Sequence, residues 1–272
     1  MKSDPVILYN IWDAGSARAV AAAGAKALTT GSWSVASAQG YEDGEAIPLD
    51  FLARIAARIV ASVGLPLTVD FEGGYALEPD DLVANATTIL RAGAIGVKFE
   101  DRVVQGEGLH PVDVQARRIA ALRSAADAFG VPLFIITRTH VFLIADRATH
   151  EAHSETLLER AVAYAAAGAA GYSLPGHVET ALIERTCRDC TLPVNVMASN
   201  HAPPAATLAR IGVARIGHRP RPFRQAMAAL TERCREEVGA TARGGTRGAR
   251  RSRDAAVARS GTRSQRSTAC AL

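Results

Sequence analysis

The sequence predicts a (β/α)8 barrel over residues 1–238, followed by a low-complexity basic tail over 239–272. Three observations lead there. Short apolar runs alternate eight times with longer amphipathic ones. The joints from an amphipathic segment to the next apolar run are short and often carry glycine, as in Ala-Gly-Ala at 23–25, 92–94 and 167–169. The opposite joints are longer and hold the polar residues. Eight even units with variable loops on one side fit a closed sheet better than a doubly wound one.

Taken in order, the first strand is "VILYN" (6–10), with a helix around Gly15–Ala23. "ALTT" (27–30) follows, then a long loop and the amphipathic "LDFLARIAARIVASV" (49–63). "LPLTVDF" (65–71) leads to "PDDLVANATTILRAG" (79–93), and "IGVKFE" (95–100) to a helix over about Val112–Phe129. "VPLFIITR" (131–138) leads to "SETLLERAVAYAAAG" (154–168), and "GYSLP" (171–175) to "HVETALIERTCRD" (177–189). The last two units are "LPVNVMA" (192–198) with "AATLARIG" (205–212), and "ARIGH" (214–218) with "PFRQAMAALTERCREEV" (222–238).

A chain of 272 residues that is 48% hydrophobic can bury one large core. It contains no apolar run long enough to cross a membrane. The N-terminus lacks a secretory pattern, so the expected location is the cytoplasm. Four cysteines do not make a disulfide framework. The net charge of +4 is unevenly spread. Residues 239–272 hold eight Arg and one Asp, about +7, which leaves the rest at about −3. The tail has almost no large apolar residues and is expected to be disordered. The folded part gives no sign of a nucleic-acid surface, and the tail's arginines, without aromatics or a defined motif, leave a nucleic-acid-binding arm only as a weak alternative.

Barrel chemistry sits at the C-terminal ends of the strands. Those ends present Trp12 and Asp13; Thr30, Gly31 and Ser32, with Asp43 in the loop beyond; Asp70 and Glu72; Glu100 and Asp101; Arg138 and His140; and Asn195. Side-chain alternation puts Asp70 and Glu72 on one face. Two bare carboxylates so close repel, and a divalent cation removes the conflict. Oxygen-only ligands suit Mg²⁺ or Mn²⁺. Arg138 offers a bidentate fork to a carboxylate or phosphonate, or pairs with a rim acid. The backbone of Gly31-Ser32-Trp33 can face an anion, or simply make a tight turn. The lone "CRDC" (187–190) lacks a second ligand pair, "HEAH" (150–153) reads as a solvated loop, and "GEG" (106–108) is too short for a dinucleotide fingerprint.

The segments "NIWDAGSARAVAAAGAKALTTGSWSVASAQGYEDGE", "PLTVDFEGGY", "AGAIGVKFEDR", "FIITRTH" and "LPVNVMA", in that order, resemble the isocitrate lyase/phosphoenolpyruvate mutase superfamily from about Pro5 to Val238. The resemblance implies a (β/α)8 barrel, dimers or tetramers that exchange a C-terminal helix, and Mg²⁺. It also implies a small 2-oxo acid or phosphonate substrate, with a C–C or P–C bond made or broken through an enolate. Carried onto this chain, Asp70 becomes the direct metal ligand, and Asp43, Glu72 and Glu100 ligands through water. Arg138 becomes the substrate clamp, Thr30, Gly31 and Ser32 the anion site, and Asn195 a pocket-lining residue. The candidate catalytic residues are Arg138, Asp43 and His110.

The chain departs from the family in the loop after the fourth strand. "EDRVVQGEGLHPVDVQARRI" has neither the cysteine-bearing motif of the lyases nor the Lys-x-Asn-Ser type of the phosphonate mutases. Gln105, Glu107 and His110 are its polar candidates; for His110 the alternative is a residue that simply opens the next helix. Where many members read Ala-Arg-Thr-Asp, this chain reads Thr-Arg-Thr-His at 137–140. Two functions follow: a Mg²⁺-dependent lyase or hydrolase of a 2-oxo acid, or a catalytically degenerate relative that binds or assembles.

Overall fold

The computed structural model describes residues 4–239. The chain divides into two units, one ending at Phe223 and one beginning at Arg224. The first unit holds nine strands, all paired in parallel. β1 (Val6–Leu8) pairs with β9 (Arg215–Gly217), while β2 (Asn10–Ile11) pairs with β3 (Leu28–Thr30). These two short pieces are halves of the single expected first strand, broken at Tyr9. The sheet order runs β1-β9-β8-β7-β6-β5-β4-β3-β2, so its two ends are consecutive in the chain and the barrel comes round on itself.

The other strands fall where periodicity places them: β4 (Leu67–Asp70), β5 (Gly96–Glu100), β6 (Phe134–Arg138), β7 (Gly171–Leu174) and β8 (Val194–Met197). Every residue of β4 and β5 is buried, as befits strands covered on one face by helices and on the other by the barrel interior. The helices are α1 (Ala14–Ala22), α2 (Ser32–Ala38), α3 (Leu49–Ser62), α4 (Pro79–Arg91) and α5 (Val112–Phe129). They continue with α6 (Val141–Ile144), α7 (Ser154–Ala166), α8 (Thr180–Asp189) and α9 (Ala205–Arg210). In α3 the buried residues are Leu52, Ala53, Ala56 and Ile59, the spacing of one helical face.

Two elements correct the sequence reading. α2 occupies part of the expected long loop, because Ser34, Val35 and Ala36 find cover in the barrel wall. "HEAH" is not a solvated loop: it closes a 3-10 turn over Arg147–His153, and His150 is buried. In the second unit the described residues, 224–239, are helical and mostly exposed. The predicted tail over 239–272 lies outside the described residues except for Gly239, which is helical. Among the described residues no helix is long and apolar enough to cross a membrane.

His150 belongs to a buried aromatic stack. Phe142 of α6 lies between it, at 4.5 Å, and His177, at 4.6 Å and nearly parallel. The Thr186 hydroxyl donates to the Leu182 carbonyl, which leaves it free to accept from His177 Nε2 at 3.2 Å. Burial pushes the His177 imidazole down to about 4, against an opposing contact with the Leu182 carbonyl. The unfolded chain, with an ordinary histidine near 6.5, therefore takes up this proton first. This contribution to stability is intact above about pH 6.5 and is lost as pH falls toward 4, by up to about 3 kcal/mol. Thermal melts at pH 7 and pH 4.5 should show a smaller acid-induced drop in Tm for His177→Gln than for the wild type.

Candidate active site

Asp70 ends β4, in register with Lys98 of β5. It is held from three sides. Its backbone N–H donates to Thr30 Oγ1 at 2.8 Å, the Ser32 N–H approaches Oδ2 at 3.4 Å, and Arg219 Nη2 lies 3.5 Å from the same oxygen. Oδ1 is buried and has no partner. Burial would raise the Asp70 carboxyl, but Lys98, Arg219 and Arg138 outweigh it and hold the group below the usual carboxylate range.

Glu72 lies beyond the strand end with φ 48°, so strand alternation does not orient it as expected. Its two carboxylate oxygens each accept from the Glu45 N–H at 3.2 Å. Burial, with the charges of Asp70, Asp43 and Glu100, pushes it up to about 8. That mutual effect places all four predicted acids in one electrostatic neighbourhood, with Asp43 on its exposed side. The glycine pair behind Glu72 is sterically required. A Cβ on Gly73 would meet Val104 Cγ2 at 2.7 Å, and Gly74 adopts φ +84° against Leu82.

On the next two strands Glu100 Oε2 pairs with Arg138 Nη1 at 2.8 Å, and Arg138 Nη2 lies 2.8 Å from His140 Nε2. The ion-pair alternative for Arg138 is thus realised, yet its Nε is buried without a partner and remains available as a donor. Burial, then Arg138 and Arg219, force the His140 imidazole far down, so it stays neutral and accepts from Arg138. Asn195 Nδ2 donates to Ser173 Oγ at 3.3 Å, and its Oδ1 has no partner.

Other predicted residues have structural work. Asp13 caps α1 in a reciprocal box with Ser16. Asp101 accepts from the His140 N–H, Arg160 and Tyr164. Gly31 is the N-cap of α2. The loop after β5 is a small hairpin: Arg102 bridges Leu109, Val103 N–H donates to Gly108 O, and Gln105 Nε2 donates to Gly44 O. Glu107 is exposed at its tip. His110 is buried and lines a cavity of about 210 Å³ with Glu45, Tyr75, Arg102, Gln105 and Arg118. None of its hydrogen bonds or charge interactions links it to Asp70 or Arg138; those it has run to Asp101, Arg118 and Arg160.

Three contributors escape the sequence reading. Lys98 sits inside an apolar strand and faces Asp70, Arg138 and Arg219; burial and those two arginines take it down to about 8, against Asp70. Arg219 follows β9, with its N–H 2.7 Å from Asn10 Oδ1. Asn10 also accepts from the His218 N–H and donates to Thr30 O. A lysine in a strand without polar neighbours was the available signal for the first; for Arg219 it was position directly after a strand. The four described non-glycine residues with positive φ, Glu45, Glu72, Tyr75 and Arg219, all lie in the loops of this rim.

No three His, Cys, Asp or Glu side chains among the described residues are close enough to enclose a metal ion. What the rim offers is the unpartnered Asp70 Oδ1 beside carboxylates crowded enough to push Glu72 to about 8. That donor set fits a hard, largely hydrated cation bound directly by one carboxylate.

The family model for phosphoenolpyruvate phosphomutase matches residues 1–238. The crystal structure of a "putative phosphonomutase" from Burkholderia cenocepacia is 47% identical, with a TM-score of 0.83, covering 86% of this chain and 93% of that one. A "putative lyase/mutase" from the same organism is 30% identical, with a TM-score of 0.77, covering 85% and 82%. An uncharacterized protein of Mycobacterium tuberculosis is 28% identical over 215 residues, 78% of this chain and 76% of its own length.

Thr30 is the residue whose removal tests this architecture most directly. Thr30→Val keeps the shape but leaves the buried Asp70 N–H without an acceptor, which costs about 1–3 kcal/mol. Chemical denaturation should register that loss, and a stability equal to the wild type would show that Thr30 does not hold Asp70.

Proposed function

The chain belongs to the phosphoenolpyruvate mutase/isocitrate lyase superfamily, and we propose that it is a Mg²⁺-dependent enzyme that cleaves a C–C or P–C bond next to the carbonyl of a small 2-oxo acid. The observation that carries this reading is the buried, unpartnered Asp70 Oδ1, set among crowded carboxylates near an arginine with a free donor. Cleavage beside a carbonyl leaves negative charge on the oxo oxygen. Bound at Asp70, Mg²⁺ supplies a fixed positive charge beside that developing charge. The chain's own residues do the rest. Arg138, gripped by Glu100 and His140, has little freedom left to lose when its Nε meets a carboxylate or phosphonate. Lys98 and Arg219 keep the field positive at the buried Asp70, where such charges act more strongly than in water. The 47%-identical relative, described as a phosphonomutase, supports including phosphonates among the substrates to be tried.

A second reading, a binding or assembly protein built on the same barrel, draws on the pinned hairpin after β5. That hairpin includes neither a cysteine nor a lysine, and its Gln105 side chain is tied to the Gly44 carbonyl.

Calorimetry with Mg²⁺ and oxalate, an enolate mimic, tests the site: the wild type should bind both, and Asp70→Asn should lose at least about tenfold in Mg²⁺ affinity. Equal binding by the variant sinks the metal assignment. Turnover of oxaloacetate, phosphonopyruvate, 2-methylisocitrate or carboxyphosphonoenolpyruvate with Mg²⁺ would establish the enzyme. A wild type that binds oxalate but turns over none of them favours the second reading.

A further inference from the structure

We propose that Arg219 is a second anion-binding residue of this rim, and that it sets a preference for doubly over singly charged ligands. The inference rests on the functional reading above and adds a residue to it. Four observations support it. The Arg219 backbone has φ 43°, a left-handed conformation that costs an arginine about 1 kcal/mol and a glycine nothing. That backbone is fastened in place, since its N–H and that of His218 both donate to Asn10 Oδ1. The structure thus spends both strain and a buried asparagine on presenting this side chain. The side chain is only 19% exposed, and its contact with Asp70 is long, at 3.5 Å. A guanidinium has five N–H donors, and a single loose contact leaves most of them for another acceptor.

Charge points the same way. Asp70 already faces Lys98 across the β4–β5 register, so it does not need Arg219 as its sole counter-ion. Lys98, Arg138 and Arg219 instead repel one another around the barrel mouth. Asp70 and Glu100 offset two of these three buried cations, and the positive charge left over favours an anion that can meet more than one of them. Arg219 and Lys98 line a gap of about 10 Å³ with Ser173 and Asn195. Arg138 stands against Glu100. A ligand with one charged end is served by Arg138 alone, whereas one with two can engage Arg219 as well.

The test compares oxalate, a dianion, with pyruvate, a monoanion, by calorimetry in saturating Mg²⁺. Arg219→Gly is the clean variant, because glycine adopts the local φ without strain, which offsets part of the stability lost with a counter-charge of Asp70. It should lose about tenfold or more in oxalate affinity and less than about threefold in pyruvate affinity, with Mg²⁺ binding in the absence of ligand not weakened. Arg219→Lys should recover part of the oxalate loss. Wild-type oxalate affinity in Arg219→Gly overturns the proposal. So does an equal fall for both anions accompanied by weaker Mg²⁺ binding, which marks a merely structural residue. Failure of the underlying functional reading looks different: the wild type itself then binds neither Mg²⁺ nor oxalate.

Discussion

A carboxylate that is 2% exposed at the mouth of a barrel has to be balanced, and the balance around Asp70 governs the surrounding structure. Lys98 supplies one charge from the neighbouring strand, Arg219 another from the loop after β9, and the Thr30 hydroxyl and Ser32 N–H fix the group from β3 and α2. Glu100 is balanced separately by Arg138, which His140 steadies by staying neutral. Glu72 has no such cation, and its rise to about 8 records the deficit. Asp70 is offset by Lys98 and Arg219, and Glu100 by Arg138, so that removing Asp70 leaves buried cations uncompensated. The functional reading and the structural one are therefore hard to separate by deleting Asp70 alone, and variants that keep shape or relieve strain are more informative.

The same rim depends on how the barrel closes. Asn10 occupies the first residue after the break in the first strand, and it touches both sides of the seam. Its amide nitrogen donates to Thr30 O on β3, and its oxygen gathers the N–H groups of His218 and Arg219 after β9. Buried amides are stable when every donor and acceptor is matched, and here one side chain satisfies three backbone groups. One residue thus couples sheet closure to the placement of a cation.

The barrel was legible in the sequence because it repeats: eight apolar runs and short glycine-marked joints carry the same message eight times. Asp70 and Arg138 were legible because each is the last residue of its strand, where register alone determines position, whereas Asn195 lies inside β8 rather than at its end. Glu72 does neighbour Asp70, but not through strand alternation. It follows the strand rather than belonging to it, and a positive φ aims its side chain. Lys98 was hidden within an apolar run. Arg219 could not be placed, because its position depends on Asn10, 209 residues earlier. The helix α2 was missed because "SWSVASA" has weak intrinsic helix preference and forms under tertiary contact. His110 looked like a loop acid or base, but the hairpin turns it toward Arg118 and its own cavity.

The split first strand also bears on how the chain acquires its structure. Residues 6–8 pair only with residues 215–217, whereas Asn10 and Ile11 pair with the adjacent β3. During synthesis the sheet can grow from β2 toward β8 while β1 still waits for its partner. Until β9 has emerged, both margins of a parallel sheet stand open, each a row of unpaired amides able to recruit another chain. Closing a loop of some 200 residues is slow by topology. The exposed Val6 and Ile7 and the bare edge of β8 then become the points at which an incomplete chain is most prone to associate with its like.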